Sequence, residues 1–171
     1  MGLGDKVYDR ELKKILRDQK TQNIPHINPS KSFLILFEGS EESVLNEVVS
    51  FSEYLKKYGK KVKLLSYLDT KGELIDFGMA VYNRSSLNWY QFPKKHIFDL
   101  LKTSDFDVMI NLNFNDRKHL HALACSANAK FKLSLPTTIE NNFTMIIDTK
   151  TKDNMRDILD EILVYFDILS I

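Results

Sequence analysis

Residues Phe106 to Pro136, FDVMINLNFNDRKHLHALACSANAKFKLSLP, decide the fold. Val108 to Leu112 is too continuously apolar for a strand with one wet face and suits a strand covered on both sides, as in a parallel sheet. Asn113, Asn115 and Asp116 follow, with side chains able to accept the free N–H groups of a helix start. Leu120, Leu123, Ala124 and Ala127 then share one helical face. A second strand, Phe131 to Leu135, closes at Pro136. The pattern is strand, helix, strand: the right-handed crossover of a doubly wound sheet.

Working outward, Ser32 to Phe37 reads as a buried strand. Ser40 is placed to cap a helix that runs to Tyr58 and stops at Gly59. Lys61 to Leu68 completes a first crossover unit. Met79 to Tyr82 suits a short strand, Asn83 to Asn88 a polar loop, and Lys94 to Lys102 a short helix. Thr137 to Asn142 reads as a loop and Phe143 to Ile147 as the last strand. Asp153 or Asn154 caps a closing helix whose stripe runs from Met155 to Leu169. The expected fold is α/β, a single three-layer doubly wound domain, Rossmann-like or flavodoxin-like, with about five mostly parallel strands over residues 31–171. An extra amphipathic helix within residues 1–22 carries Tyr8, Leu12, Ile15 and Leu16 on one face. Pro25 and Pro29 mark Asn23 to Ser30 as a connector.

The totals exclude several classes of function. The chain has 171 residues, enough for one self-sufficient core. Its 24 Lys and Arg nearly cancel 23 Asp and Glu, so no global field draws it to nucleic acid or an anionic membrane. A single cysteine, Cys125, permits no intramolecular disulfide and no multi-cysteine metal site, which fits a reducing, cytoplasmic setting. No stretch approaches a membrane span, and the start, MGLGDKVYDREL, has no signal-peptide core.

Ligands of open α/β sheets sit beyond the carboxyl ends of the strands. The first turn there holds one glycine among Glu38, Glu41 and Glu42, which suit the helix dipole but repel phosphate. Neither G-x-G-x-x-G nor a Walker motif occurs, so no cofactor is assigned. Ser40, Asn113, Asp116, Arg117 and Thr138 are the candidate ligand residues, with Arg117 or Lys118 meeting an anion; as caps and turn formers they also have plain structural roles. His121 and Cys125 share a helix face four residues apart, but no third ligand is spaced nearby, so packing is the expected role and neither a catalytic residue nor a metal is assigned.

Lys13, Lys14 and Arg17 on the first helix, with Trp89, Tyr90 and Phe92, are the candidate partner-binding residues. The leading expectation is a non-enzymatic protein that binds another protein, as a monomer or homodimer. The alternatives are a binder of a small nucleotide- or sugar-like ligand, or minimal transferase, and an RNA-associated factor resting on the basic residues of the first helix alone; nucleic acid is otherwise disfavoured.

Two resemblances add to this. Asp107-Val108-Met109-Ile110-Asn111-Leu112, then His121-Ala122-Leu123-Ala124, then Ala129-Lys130-Phe131-Lys132-Leu133 resemble a segment of the N-terminal domain of heptosyltransferase-type GT-B glycosyltransferases. That family's Gly-Asp loop is replaced here by Glu38-Gly39-Ser40-Glu41, and no catalytic residue carries over. The chain as a whole resembles a small bacterial family of α/β proteins with no assigned function, sharing the Asn88-Trp89 loop and the closing amphipathic helix. This second resemblance implies the fold and a cytoplasmic origin.

Overall fold

A computed structural model describes residues 2–18, 30–72, 74, 78–102, 105–150 and 154–169. The elements, in order, are α1 (Leu3–Asp18), β1 (Ser32–Glu38), α2 (Glu42–Lys57), β2 (Lys61–Leu68), β3 (Ala80–Asn83), α3 (Lys95–Lys102), β4 (Phe106–Leu112), α4 (Lys118–Ser126), β5 (Ala129–Ser134), β6 (Met145–Ile146) and α5 (Met155–Leu169). The sheet has six strands in the order β3-β2-β1-β4-β5-β6, every neighbouring pair parallel. This is the Rossmann-like order, with the switch point between β1 and β4.

Both faces of the central strands are buried, which explains their unbroken apolar runs. In β1, Phe33, Ile35 and Phe37 face α2 and α5, meeting Val48, Phe51, Leu55, Ile158, Ile162 and Phe166. Leu34 and Leu36 face the other way, with Leu65 and Met109, toward Ile97 and Leu101 of α3 and Leu120 and Leu123 of α4. Register keeps the faces matched: Ile35 lies between Leu64 and Ile110, and Leu36 between Leu65 and Asn111. Each such side chain fully buried stabilises by roughly 1.5–3 kcal/mol relative to exposure.

α1 forms an additional layer on α4. Tyr8 and Leu12 pack on Ala122, Cys125 and Phe92. The Tyr8 hydroxyl donates to the Lys118 carbonyl at 2.7 Å, and Lys118 pairs with Asp5. Sheet on one side and α1 on the other leave His119 to Cys125 buried throughout, not on one face only as the sequence suggests.

The described residues form six strands, in line with the about five expected. The structure corrects other details. The last strand is only Met145–Ile146, paired to Leu133 and Ser134. Residues 84–86 form a short 3-10 turn, because the Asn83 side chain accepts the Ser85 N–H at 3.0 Å. α2 ends as expected: Gly59, at φ 75°, donates its N–H to Lys56 and Lys60 donates to Leu55, closing a Schellman motif. Asn154 caps α5 through the Asp157 N–H at 2.9 Å. Asp153 and most of the Asn23–Ser30 connector lie outside the described residues.

Candidate functional site

At the switch point, Glu38 ends β1 and the loop after β4 reaches back to it. Arg117 grips the Glu38 carboxylate with both arms of its guanidinium, Nη2 to Oε1 at 2.7 Å and Nε to Oε2 at 3.0 Å. Asn115 Nδ2 adds a third donor at 2.9 Å. Burial pushes the Glu38 carboxyl up, but the hydrogen bonds from Arg117 and Asn115 outweigh it and hold the group below its ordinary range. The pair stands as a partition with a cleft on each face of the sheet.

The cleft on the α2 face encloses about 330 Å³ between Ser40, Glu41, Ser43, Glu47, Asn115 and Asn154, over Leu112, Phe114 and Met155. Ser40 does not cap α2. Glu41 holds that position, and Ser40 Oγ instead accepts the Asp69 N–H at 2.8 Å, tying the β1 loop to the end of β2. The loops run so close that a Cβ on Gly39 would stand 2.4 Å from Ser66 Oγ and 3.1 Å from Phe37 Cε2. Glycine is required there for close approach.

The cleft on the α4 face is larger, about 580 Å³, and is lined by Tyr67, Asp69, Lys71, Arg84, Gln91, Asp116, Arg117, Lys118 and His119 among others. Asp69 sits between two guanidinium groups: Arg84 grips both its oxygens and Arg117 lies 3.6 Å away. The Arg84 hydrogen bonds are the main reason its carboxyl falls to about 2; the Tyr67 hydroxyl donates to it as well, at 2.9 Å. The His119 ring packs on the Tyr67 ring, centroids 4.1 Å apart and planes tilted by 49°, with Nδ1 2.9 Å from the Tyr82 hydroxyl. Burial, helped by Arg117, lowers its pKa to about 4, so the ring is neutral near pH 7.

Backbone conformation marks the same cleft. Gln91 (φ 60°) and Asp116 (φ 47°) are the non-glycine residues with positive φ among the described residues, and both line it. Each is held by its neighbours. Gln91 closes a tight turn in which its N–H reaches Asn88 O and the Asn88 N–H reaches Phe92 O. Asp116 sits in a loop clasped by Asn113, whose side chain accepts the Arg117 N–H at 2.7 Å and donates to the Arg117 carbonyl at 2.9 Å. Thr137 Oγ1 donates to Asp116 at 2.9 Å. Asn113 and Asp116 therefore shape this loop rather than cap α4, whose N-cap position is Arg117.

A model built on a protein family matches residues 5–169, nearly the whole described chain. The chain belongs to DUF6913, a family of unknown function. No curated protein matches it. The whole-chain resemblance to a family without assigned function is thus borne out, whereas nothing supports the glycosyltransferase likeness of residues 106–136.

In this DUF6913 chain the candidate ligand residues divide between the two clefts. Ser40 lines the α2-face cleft, Asp116 and Arg117 the α4-face cleft, and Asn113 is buried behind the latter. Thr138 is exposed and lines neither. Tyr67, Arg84, Gln91 and His119 were not nominated from sequence; they come from three separate segments, and no local spacing links them. Lys13, Lys14 and Arg17 are exposed on α1, with Lys14 paired to Glu11 at 2.9 Å. The aromatic trio does not form one surface: Phe92 is buried against Tyr8, Tyr90 is half-buried and Trp89 is 68% exposed.

His121 and Cys125 do meet, Nε2 to Sγ at 3.4 Å. However, His121 Nε2 also lies 3.0 Å from the Glu140 carbonyl, which only accepts, so that nitrogen carries a proton and is no base for the thiol. Burial lifts the Cys125 pKa to about 11. The described residues contain no group of three or more His, Cys, Asp or Glu placed to hold a metal, and no helix long and apolar enough to cross a membrane.

Proposed function

We propose that this DUF6913 protein binds a small anionic ligand in the α4-face cleft at the carboxyl ends of β1, β2 and β4. The observation that carries the reading is the convergence of both left-handed non-glycine residues on the one cleft that also gathers Lys71, Arg84, Arg117 and Lys118. Non-glycine residues in that region cost of order 1–3 kcal/mol each and cluster where a loop must hold a site in shape. Arg84, Arg117 and Lys118 are ion-paired to Asp69, Glu38 and Asp5, so the cleft offers an anion cationic N–H donors, with Lys71, rather than a net positive charge.

The test is a thermal-shift screen of small anions, from inorganic phosphate and citrate to nucleotides, on the wild type and on Arg117→Met. A ligand present at a hundred times its Kd adds about 2.7 kcal/mol of stability. At least one anion is expected to raise the Tm of the wild type and to lose that effect in the variant. A flat screen, or an equal rise in both, overturns the reading.

A second reading, docking of a protein partner, is favoured by Trp89 and Leu3, 68% and 73% exposed near the start of α1. It requires Trp89→Ala to abolish capture of that partner while the anion response persists.

A further inference from the structure

Building on the proposed anion site, we infer that its ligand carries a phosphoryl-type oxyanion seated by the Nε2–H of His119 between Arg84 and Arg117. If no anion binds at all, both readings fail; if anions bind without engaging His119, only this one does.

Tyr82 sets the tautomer of His119. The Tyr82 ring is 0% exposed, and among the described residues its hydroxyl has one hydrogen-bond partner, His119 Nδ1 at 2.9 Å. A buried hydroxyl that leaves its proton without an acceptor loses more than one that leaves a lone pair unfilled. The phenol therefore donates, Nδ1 accepts, and the ring proton resides on Nε2. His119 is itself only 2% exposed and lines the cleft. With Nδ1 engaged by Tyr82, and no other hydrogen-bond partner to the ring among the described residues, Nε2–H is a donor available to a ligand in the cleft. Contact with the Tyr67 ring, tilted at 49°, limits the imidazole's rotation.

Two guanidinium groups line the same cleft as this donor, from different segments. Arg84 follows β3 and Arg117 precedes α4, held respectively by Asp69 and Glu38. Donors arriving from several directions match a tetrahedral oxyanion, whereas a planar carboxylate is satisfied by one guanidinium fork. Asp116 on the same rim is an acceptor and suits a hydroxyl carried beside the phosphoryl group. The Glu41 side chain, which deters phosphate at the start of α2, lines the cleft on the opposite side of the partition.

The experiment is a titration of the full-length, ¹⁵N-labelled protein with inorganic phosphate, and separately with acetate, at fixed ionic strength. It is read at the imidazole nitrogens of His119. The expected starting state is a neutral ring protonated on Nε2. Phosphate should shift that resonance saturably, and acetate at the same concentration should not. His119→Gln, which keeps a neutral N–H donor, should hold phosphate affinity within about threefold, while His119→Phe should weaken it about tenfold or more.

A proton found on Nδ1, or an Nε2 signal unmoved while phosphate saturates the Arg84 and Arg117 amides, overturns the inference and leaves the anion site standing. Acetate binding as tightly as phosphate overturns the phosphoryl assignment. The wild-type resonance decides the case even if His119→Phe fails to fold.

Discussion

The two faces of the sheet are built to different rules although the same six strands supply both. On the α2 and α5 face the core is aliphatic and aromatic, interrupted by small hydroxyls such as Ser52 and Ser66. The α3 and α4 side buries Asn111, Lys132, Ser134 and His119 among its leucines. The clefts above them follow suit, one rimmed by Glu38, Glu41 and Glu47, the other by Arg84, Arg117 and Lys118. Buried polar groups reduce stability unless paired, so a face that keeps them through to its open end is shaped by something besides folding.

Removing the partition breaks this comparison most directly. Arg117→Met leaves Glu38, 12% exposed at its side chain, without its main partner. Stripping one member from a buried pair costs about 3–5 kcal/mol, and the half-exposed arginine places this loss near about 3. Adding Glu38→Gln to the same chain should recover part of it. Urea unfolding of the three proteins checks both statements.

Lys132 tests the polar face from within. It is 3% exposed, with Nζ on the Cys125 carbonyl at 2.8 Å, and burial lowers its pKa to about 8. Below pH 8 the lysine is charged in folded and unfolded chains alike, and burial of that charge costs stability. Between about 8 and 10.5 the folded chain sheds the proton while the unfolded chain keeps it, so stability rises with pH. Lys132→Met should therefore be the more stable protein at pH 7, by at most about 3 kcal/mol at ~1.4 kcal/mol per pH unit of pKa depression. The gap should close as pH climbs toward 10. A variant less stable than wild type at pH 7 would mean that the lysine's hydrogen bonds outweigh the burial of its charge.

Gly39 sharpens the other side. Gly39→Ala forces a Cβ against Ser66 Oγ and the Phe37 ring, and should cost about 1–3 kcal/mol without altering anion binding across the partition. Denaturation midpoints together with the anion titration of that variant separate the two effects.

The residues that build the sheet were legible because their signal is local. Val108 to Leu112 and Ser32 to Phe37 announce two-sided burial by themselves, and Gly59 announces the end of α2. Ser40 misled because a serine before a helix satisfies the capping rule equally well when its hydroxyl is engaged elsewhere, here by Asp69 twenty-nine residues on. The carboxylates of the first turn correctly describe the α2-face cleft, but sequence cannot say that Arg84 and Arg117 converge behind them. That convergence depends on strand order, which sets β1 between β2 and β4 and so lets the segments after β3 and β4 reach the end of β1 from either side. His119 carries no local signal, because its partner Tyr82 lies 37 positions earlier.

Of the two clefts, the α4-face cleft is the one expected to take a ligand. The direct measurement is a backbone amide map of the labelled protein during titration with the anion that gives the largest thermal shift. The expected result is saturable change at Asp69, Arg84, Gln91, Asp116, Arg117 and His119, with Ser43, Glu47 and Asn154 still. Changes centred on Ser43, Glu47 and Asn154 would place the ligand on the acidic face of the switch point and contradict it.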